Sequence, residues 1–106
     1  LRRARLWCQV LPPLRPLEGR DLSLIVCSEV LEHVPDPVAT VRTLTRALAL
    51  GGHLLVNFVE TPAHGANLLG AQRQRSATLA YLAAQLETIH PITPHGPDGI
   101  YRKPMR

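Results

Sequence analysis

The chain is poor in cysteine, lysine and aromatic residues, and each scarcity narrows what it can be. Its two cysteines, Cys8 and Cys27, are too few and too far apart in 106 residues for the disulfide scaffold of a small secreted domain. There is no C-x-x-C, so thiolate zinc sites and dithiol redox pairs have no support. Cys27 sits in an apolar run, where a free thiol behaves as a small buried hydrophobe. Aromatics make up 4% of the chain, as Trp7, Phe58, Tyr81 and Tyr101. Nucleic-acid surfaces combine a dense basic stripe with aromatic platforms, so nucleic-acid binding is not expected. No apolar stretch reaches the roughly eighteen residues of a membrane span. No basic segment, apolar run and small-residue cleavage site open the sequence at Leu1. Membrane insertion and secretion are therefore not expected, and the expected location is cytoplasmic.

What the chain does have is arginine, with Lys103 as the sole lysine, and a net charge of +4. The charge is uneven. Residues 1–20 carry five arginines and Glu18, residues 21–60 two arginines against five acids, and residues 61–106 five basic residues against two acids. The ends are basic and the middle is acidic, without a stripe. An apolar content of 45% is ordinary for a globular protein, and the length suits one small domain with a thin core.

Residues 1–10 have mixed polarity and fit either a short helix or a ragged strand. Residues 11–20 hold three prolines and a glycine and read as a loop. DLSLIVCS at 21–28 is nearly continuous apolar sequence, the pattern of a parallel strand covered on both faces. At most one helical turn fits in EVLEHV before Pro35. Asp36 then caps a helix with Pro37 at its first position, running to about Leu50. Val38, Val41, Leu44, Thr45 and Leu48 form its inner stripe, and Gly51 stops it. HLLVNFV at 53–59 is a second strand, so the unit is βαβ and parallel. A loop over 60–66 leads to a long helix over 67–87, capped by Asn67 and packed through Leu68, Leu69, Leu79, Leu82, Ala83 and Leu86. Ile89 and Ile92 mark a short strand, Ile100 and Tyr101 pair briefly at an edge, and the final RKPMR is a basic frayed end.

In an open parallel sheet, ligands bind beyond the carboxyl ends of the strands. The first strand delivers Cys27, Ser28 and Glu29 there, and the second Asn57, Val59 and Glu60. Glu29, Glu32 and His33 form E-x-x-E-H. On a helical turn they share one face, a donor set for a hard or borderline cation such as Mg²⁺ or Mn²⁺. The competing reading is that Glu29 faces a ligand, Glu32 caps or pairs with an arginine, and His33 packs in the loop. His64, in a glycine-containing loop past the second strand, is a candidate substrate-facing base. Asn57 is a candidate hydrogen-bond donor to substrate, against a plain structural role. His53, His90 and His95 read mainly as structural.

Residues 21–60 resemble the class I S-adenosyl-L-methionine-dependent methyltransferases, most closely those of the quinone-biosynthesis O-methyltransferase type. Asp21 opens the strand, CSEVLEHVPDP follows from Cys27 to Pro37, and Leu48 to Gly52 match a segment like L-x-P-G-G, with Leu50 where the family has proline. The resemblance implies an α/β fold: a partial Rossmann-like methyltransferase sheet, strand-helix-strand-helix, with a short C-terminal edge strand or loop. It implies that Cys27, Ser28, Glu29, His33 and Val34 line the donor site. The catalytic candidates are then His33 and, from its place in the chain, His64. It also strengthens Glu29, Glu32 and His33 as metal ligands. The expected chemistry is methyl transfer to a small-molecule acceptor, at an oxygen nucleophile. The family's glycine-rich loop G-x-G-x-G has no counterpart here, so residues 1–106 are expected to be a partial domain lacking the N-terminal donor-binding half. Two alternatives accompany this reading. One is a non-catalytic interaction or regulatory fragment that self-associates or takes a partner chain at its open sheet edge. The other is a divalent-metal-assisted RNA ribose methyltransferase-like module.

Overall fold

The structure, a computed structural model, describes residues 20–59, 69–92 and 98–105. Readings that fall on residues 1–19, 60–68 and 93–97, His64, Asn67, Leu68 and His95 among them, lie outside the described residues. The elements run β1 (Leu22–Cys27), a 3₁₀ turn (Leu31–His33), α1 (Pro37–Ala47), β2 (Leu48–Asn57), α2 (Leu69–Arg73), α3 (Arg75–Gln85), β3 (Glu87–His90) and β4 (Asp98–Arg102). The strands form one sheet in the order β1-β2-β4-β3. β1 and β2 pair in parallel around the α1 crossover, whereas β4 runs antiparallel to both β2 and β3. This is a partial, open, Rossmann-like α/β sheet.

The start of α1 follows from two residues. Asp36 accepts a hydrogen bond from the Ala39 N–H at 3.0 Å, and Pro37 supplies a preset φ at the first position, where no N–H is needed. The buried stripe of Val41, Leu44 and Thr45 faces the core, as the spacing predicts. The helix nevertheless ends at Ala47, three residues before the expected Leu50. Leu48 is already extended and pairs with Leu22. The register then jumps, so that Leu24 pairs with His53, and residues 49–52 bulge out of β2.

Lys103 holds this bulge. Its N–H donates to Gly52 O and its carbonyl accepts from Gly51 N–H, while its ammonium donates to Thr45 O at 3.1 Å and Leu48 O at 2.9 Å. A cation thus satisfies carbonyls at the negative end of α1. The C-terminal segment through Met105 is therefore tied down, where the sequence reads as frayed. Lys103→Met keeps the apolar stem and removes both charged hydrogen bonds. It is expected to cost about 1–2 kcal/mol, read as a lower urea midpoint with an unchanged slope. An unchanged midpoint would deny Lys103 this role.

Three further expectations are corrected. From Leu69 on, the helix expected over 67–87 is two helices, α2 and α3, broken at Gln74, with Glu87 already in β3, and Leu69 and Ala83 are exposed rather than inward. The buried positions are Ala71, Arg75, Thr78 and Leu82. β4 is interior rather than an edge. It lies between β2 and β3, and Tyr101 is buried with its hydroxyl accepting from the Ile92 N–H at 3.1 Å. Finally, among the described residues the sheet is covered on one face only. Ile25 and Cys27 are buried, while Leu24 and Val26, pointing the other way, are 55% and 61% exposed.

Candidate functional site

Parallel pairing brings the carboxyl ends of β1 and β2 to one edge, and antiparallel β4 brings Asp98, at its start, to the same edge. There Asn57 is the register partner of Asp98. A shallow cleft of about 280 Å³ opens beside this edge, lined mainly by Val26, Leu55 and Ile100 with Cys27, Ser28 and Asn57.

The geometry at this edge centres on Glu29 and Asn57. Glu29 leaves β1 with φ 61°, and among the described residues it is the one non-glycine in the left-handed region. A single side chain stabilises this turn. The Glu29 N–H donates to Asn57 Oδ1 at 2.8 Å, and Asn57 Nδ2 donates to Glu29 Oε2 at 2.9 Å. Asn57 is 8% exposed, and both ends of its amide bond Glu29. The sequence shows a polar residue closing an apolar strand. It does not show the partner, 28 residues earlier.

The turn also settles where the E-x-x-E-H residues go. Because Glu29 is not helical and the 3₁₀ turn spans only Leu31–His33, the shared helical face does not form. Glu29 bonds Asn57. Glu32 points inward, 1% exposed, with Oε2 3.6 Å from His33 Nε2 and Oε1 without a hydrogen-bond partner. His33 is 37% exposed, and Val34 follows it half-buried. Among the described residues no group of three His, Cys, Asp or Glu side chains gathers to hold a metal ion.

Cys27 and Ser28 line the cleft. Burial pushes the Cys27 thiol up to about 11, with the nearby Glu32 charge acting in the same direction. The thiol, buried on the sheet face opposite Val26, therefore keeps its proton at neutral pH and is not a nucleophile. Folding holds this proton more tightly than the unfolded chain does, whose ordinary value is 9.0. The stabilisation is thus fully present below pH 9 and is lost as pH rises through about 11. The urea midpoint of the wild-type chain is expected to fall more steeply over this window than that of Cys27→Ala. Parallel curves would count against a buried thiol.

Behind the edge, Arg75 anchors the end of β2. Its side chain is buried, Nε donates to Phe58 O at 3.0 Å, and the guanidinium lies 5.7 Å from the Phe58 ring centroid. Gln72 Nε2 donates to Val59 O at 3.0 Å. Arginine at an inward position of the 71, 75, 78, 82 stripe is the sequence signal for this anchor, and the periodicity reading passed over it.

A family model described as a methyltransferase domain matches residues 9–96. The ubiquinone biosynthesis O-methyltransferase of Marinobacter nauticus is 36% identical over 44 residues, covering 42% of this chain and 18% of that protein. The chain thus spans a small part of the curated relative it matches. No described helix is long and apolar enough to cross a membrane.

Proposed function

The chain belongs to the class I S-adenosylmethionine-dependent methyltransferases, distantly related to the quinone-biosynthesis type, and on that premise we propose that it serves methyl transfer to an oxygen of a small-molecule acceptor. The observation that carries this reading is the Glu29–Asn57 clamp at the shared carboxyl edge of β1 and β2, where open α/β sheets bind ligands.

The residues present suit the donor. It is a zwitterion with an added sulfonium charge, and a fixed carboxylate with a hydroxyl neighbour, Glu29 and Ser28, is complementary to its cationic end. Glu29, Ser28 and Cys27 would hold it, with His33 and Val34 flanking. When bound, the donor supplies an electrophilic methyl group. The protein's own task is to hold the acceptor oxygen in line with that methyl and to take the acceptor's proton. His33 is the described candidate for the base, and its exposure leaves it accessible to an acceptor. His64 is the second candidate. In this reading the chain is the later part of a methyltransferase domain.

A second reading is favoured by one observation. Leu24 and Val26 on β1 are exposed, and among the described strands β1 pairs only with β2. An uncharged, apolar strand at a sheet edge is a pairing site. This supports a chain that self-associates or takes a partner strand, as an interaction fragment or as a half completed by its partner.

The test is calorimetric titration of the 106-residue chain with S-adenosylhomocysteine, with its mass followed by sedimentation. Saturable binding with one ligand per chain is expected under the first reading, by monomer or dimer. A folded chain that binds none and sediments as an oligomer supports the second alone. A folded monomer that binds none defeats both.

A further inference from the structure

We propose that Asn57 is a positioning residue that fixes the Glu29 carboxylate to receive a cationic group of the methyl donor. The inference rests on the methyltransferase reading above and adds to it a residue and a charge preference.

Asn57 forms two bonds of opposite polarity to one residue. Its carbonyl oxygen accepts the Glu29 N–H, and its amide nitrogen donates to Glu29 Oε2. Only a carboxamide does both at this length. Aspartate has no donor for the carboxylate and repels it, and serine does not reach both atoms. The clamp fixes backbone and side chain together, in a turn that a glutamate does not prefer. Glu29 itself stays exposed, and no described residue bonds its Oε1.

What the clamp holds is an anion with no counter-charge among the described residues. The ion pairs among the described residues join His33 to Glu32 and Arg102 to Glu87, and none includes Glu29. Ordering an exposed glutamate costs side-chain entropy. A structural turn would be satisfied more simply by glycine, which takes φ 61° freely. A preorganised carboxylate at a ligand-binding edge is instead matched to a cation that arrives with the ligand. The donor carries two, a sulfonium and an ammonium. Methyl transfer turns the sulfonium into a neutral thioether and leaves the ammonium unchanged, so the donor and its product distinguish the two.

The experiment is titration of the full chain with S-adenosylmethionine and S-adenosylhomocysteine, alongside thermal melting, for wild type, Glu29→Gln, Asn57→Asp and the double variant. Both single variants are expected to weaken S-adenosylmethionine binding about tenfold or more. Loss confined to S-adenosylmethionine assigns the carboxylate to the sulfonium, and equal loss for both ligands assigns it to the ammonium. The double variant separates positioning from packing. The introduced glutamine amide donates to the introduced carboxylate, which also accepts the N–H of residue 29, so both bonds return while the charge moves inward. Its melting temperature is expected to recover toward wild type and its donor affinity to stay low. Single variants that bind like wild type, or a double variant that regains affinity together with stability, would overturn the proposal. A folded wild-type chain that binds neither ligand removes the proposed donor-binding role first, and this inference with it.

Discussion

Phe58→Ala is expected to unfold most of the protein at 37 °C. Phe58 is fully buried just beyond β2, where the sheet meets the helical layer. Truncating such a ring removes its transfer energy and leaves a cavity, together about 3–5 kcal/mol. The guanidinium of Arg75 also loses the aromatic face it lies over, a further contribution of about 1 kcal/mol. A chain of this size has a net stability of only about 5–15 kcal/mol. The melting temperature is expected to fall by roughly 15–30 °C. Phe58→Leu keeps most of the volume and isolates the aromatic contribution, so it should lose far less. If the alanine variant melts within a few degrees of wild type, Phe58 is not at the centre of the core.

The Arg75 anchor makes this a functional prediction too. Arg75 bonds the Phe58 carbonyl one residue after Asn57. Loosening residue 58 loosens the residue that clamps Glu29, so the site at the strand edge depends on core packing directly behind it.

How far the sequence foretells this structure depends on the range of the interaction concerned. Asp36 and Pro37 act within one helical turn, and their cap is where the sequence puts it. The apolar run at 22–27 gives β1 because its composition alone favours a strand. The interior place of β4 depends on pairing with β2 and β3 across long stretches of chain, and Asp98–Arg102 carries no local mark of which neighbours it takes. The same holds at the site. The sequence brings Cys27, Ser28, Glu29 and Asn57 to one edge through strand direction alone. It does not reveal that Asn57 turns toward Glu29, because that bond exists only once the two parallel strands are in register. The E-x-x-E-H spacing misleads in a specific way. Its three residues share a face only on a helix, and the clamp holds the first of them outside any helix.

Gly52→Ala is expected to be the most damaging of the glycine substitutions in the described chain's bulge, although the local signal points to Gly51. Gly51 has φ 79°, and an added Cβ there costs about 1 kcal/mol of backbone strain. Its close contact, the Met105 sulfur at 2.7 Å, is the far part of a flexible side chain that can move aside. Gly52 has no such outlet. A Cβ there would lie 2.8 Å from Leu22 O and 2.9 Å from Ala49 O, both backbone atoms. Moving the first breaks into β1 at the point where its register with β2 jumps, and moving the second opens the bulge that follows α1. Gly52 O also accepts the Lys103 N–H that ties down the C-terminal segment. Overpacking against fixed backbone costs about 3 kcal/mol, and here the shift is carried into both strands of the parallel pair. The expected order of urea midpoints is therefore Gly52→Ala well below Gly51→Ala, which in turn lies below wild type. Gly70→Ala supplies the opposite sign. An added methyl there meets nothing within 4 Å, and in helix α2 alanine gains up to about 1 kcal/mol over glycine. If Gly51→Ala were the worst of the three, backbone strain rather than space would govern the bulge. Because Leu22 begins the strand that ends at Cys27, two residues before Glu29, displacement at Gly52 also shifts β1 along β2. Loss of donor-site geometry is then expected to accompany the loss of stability.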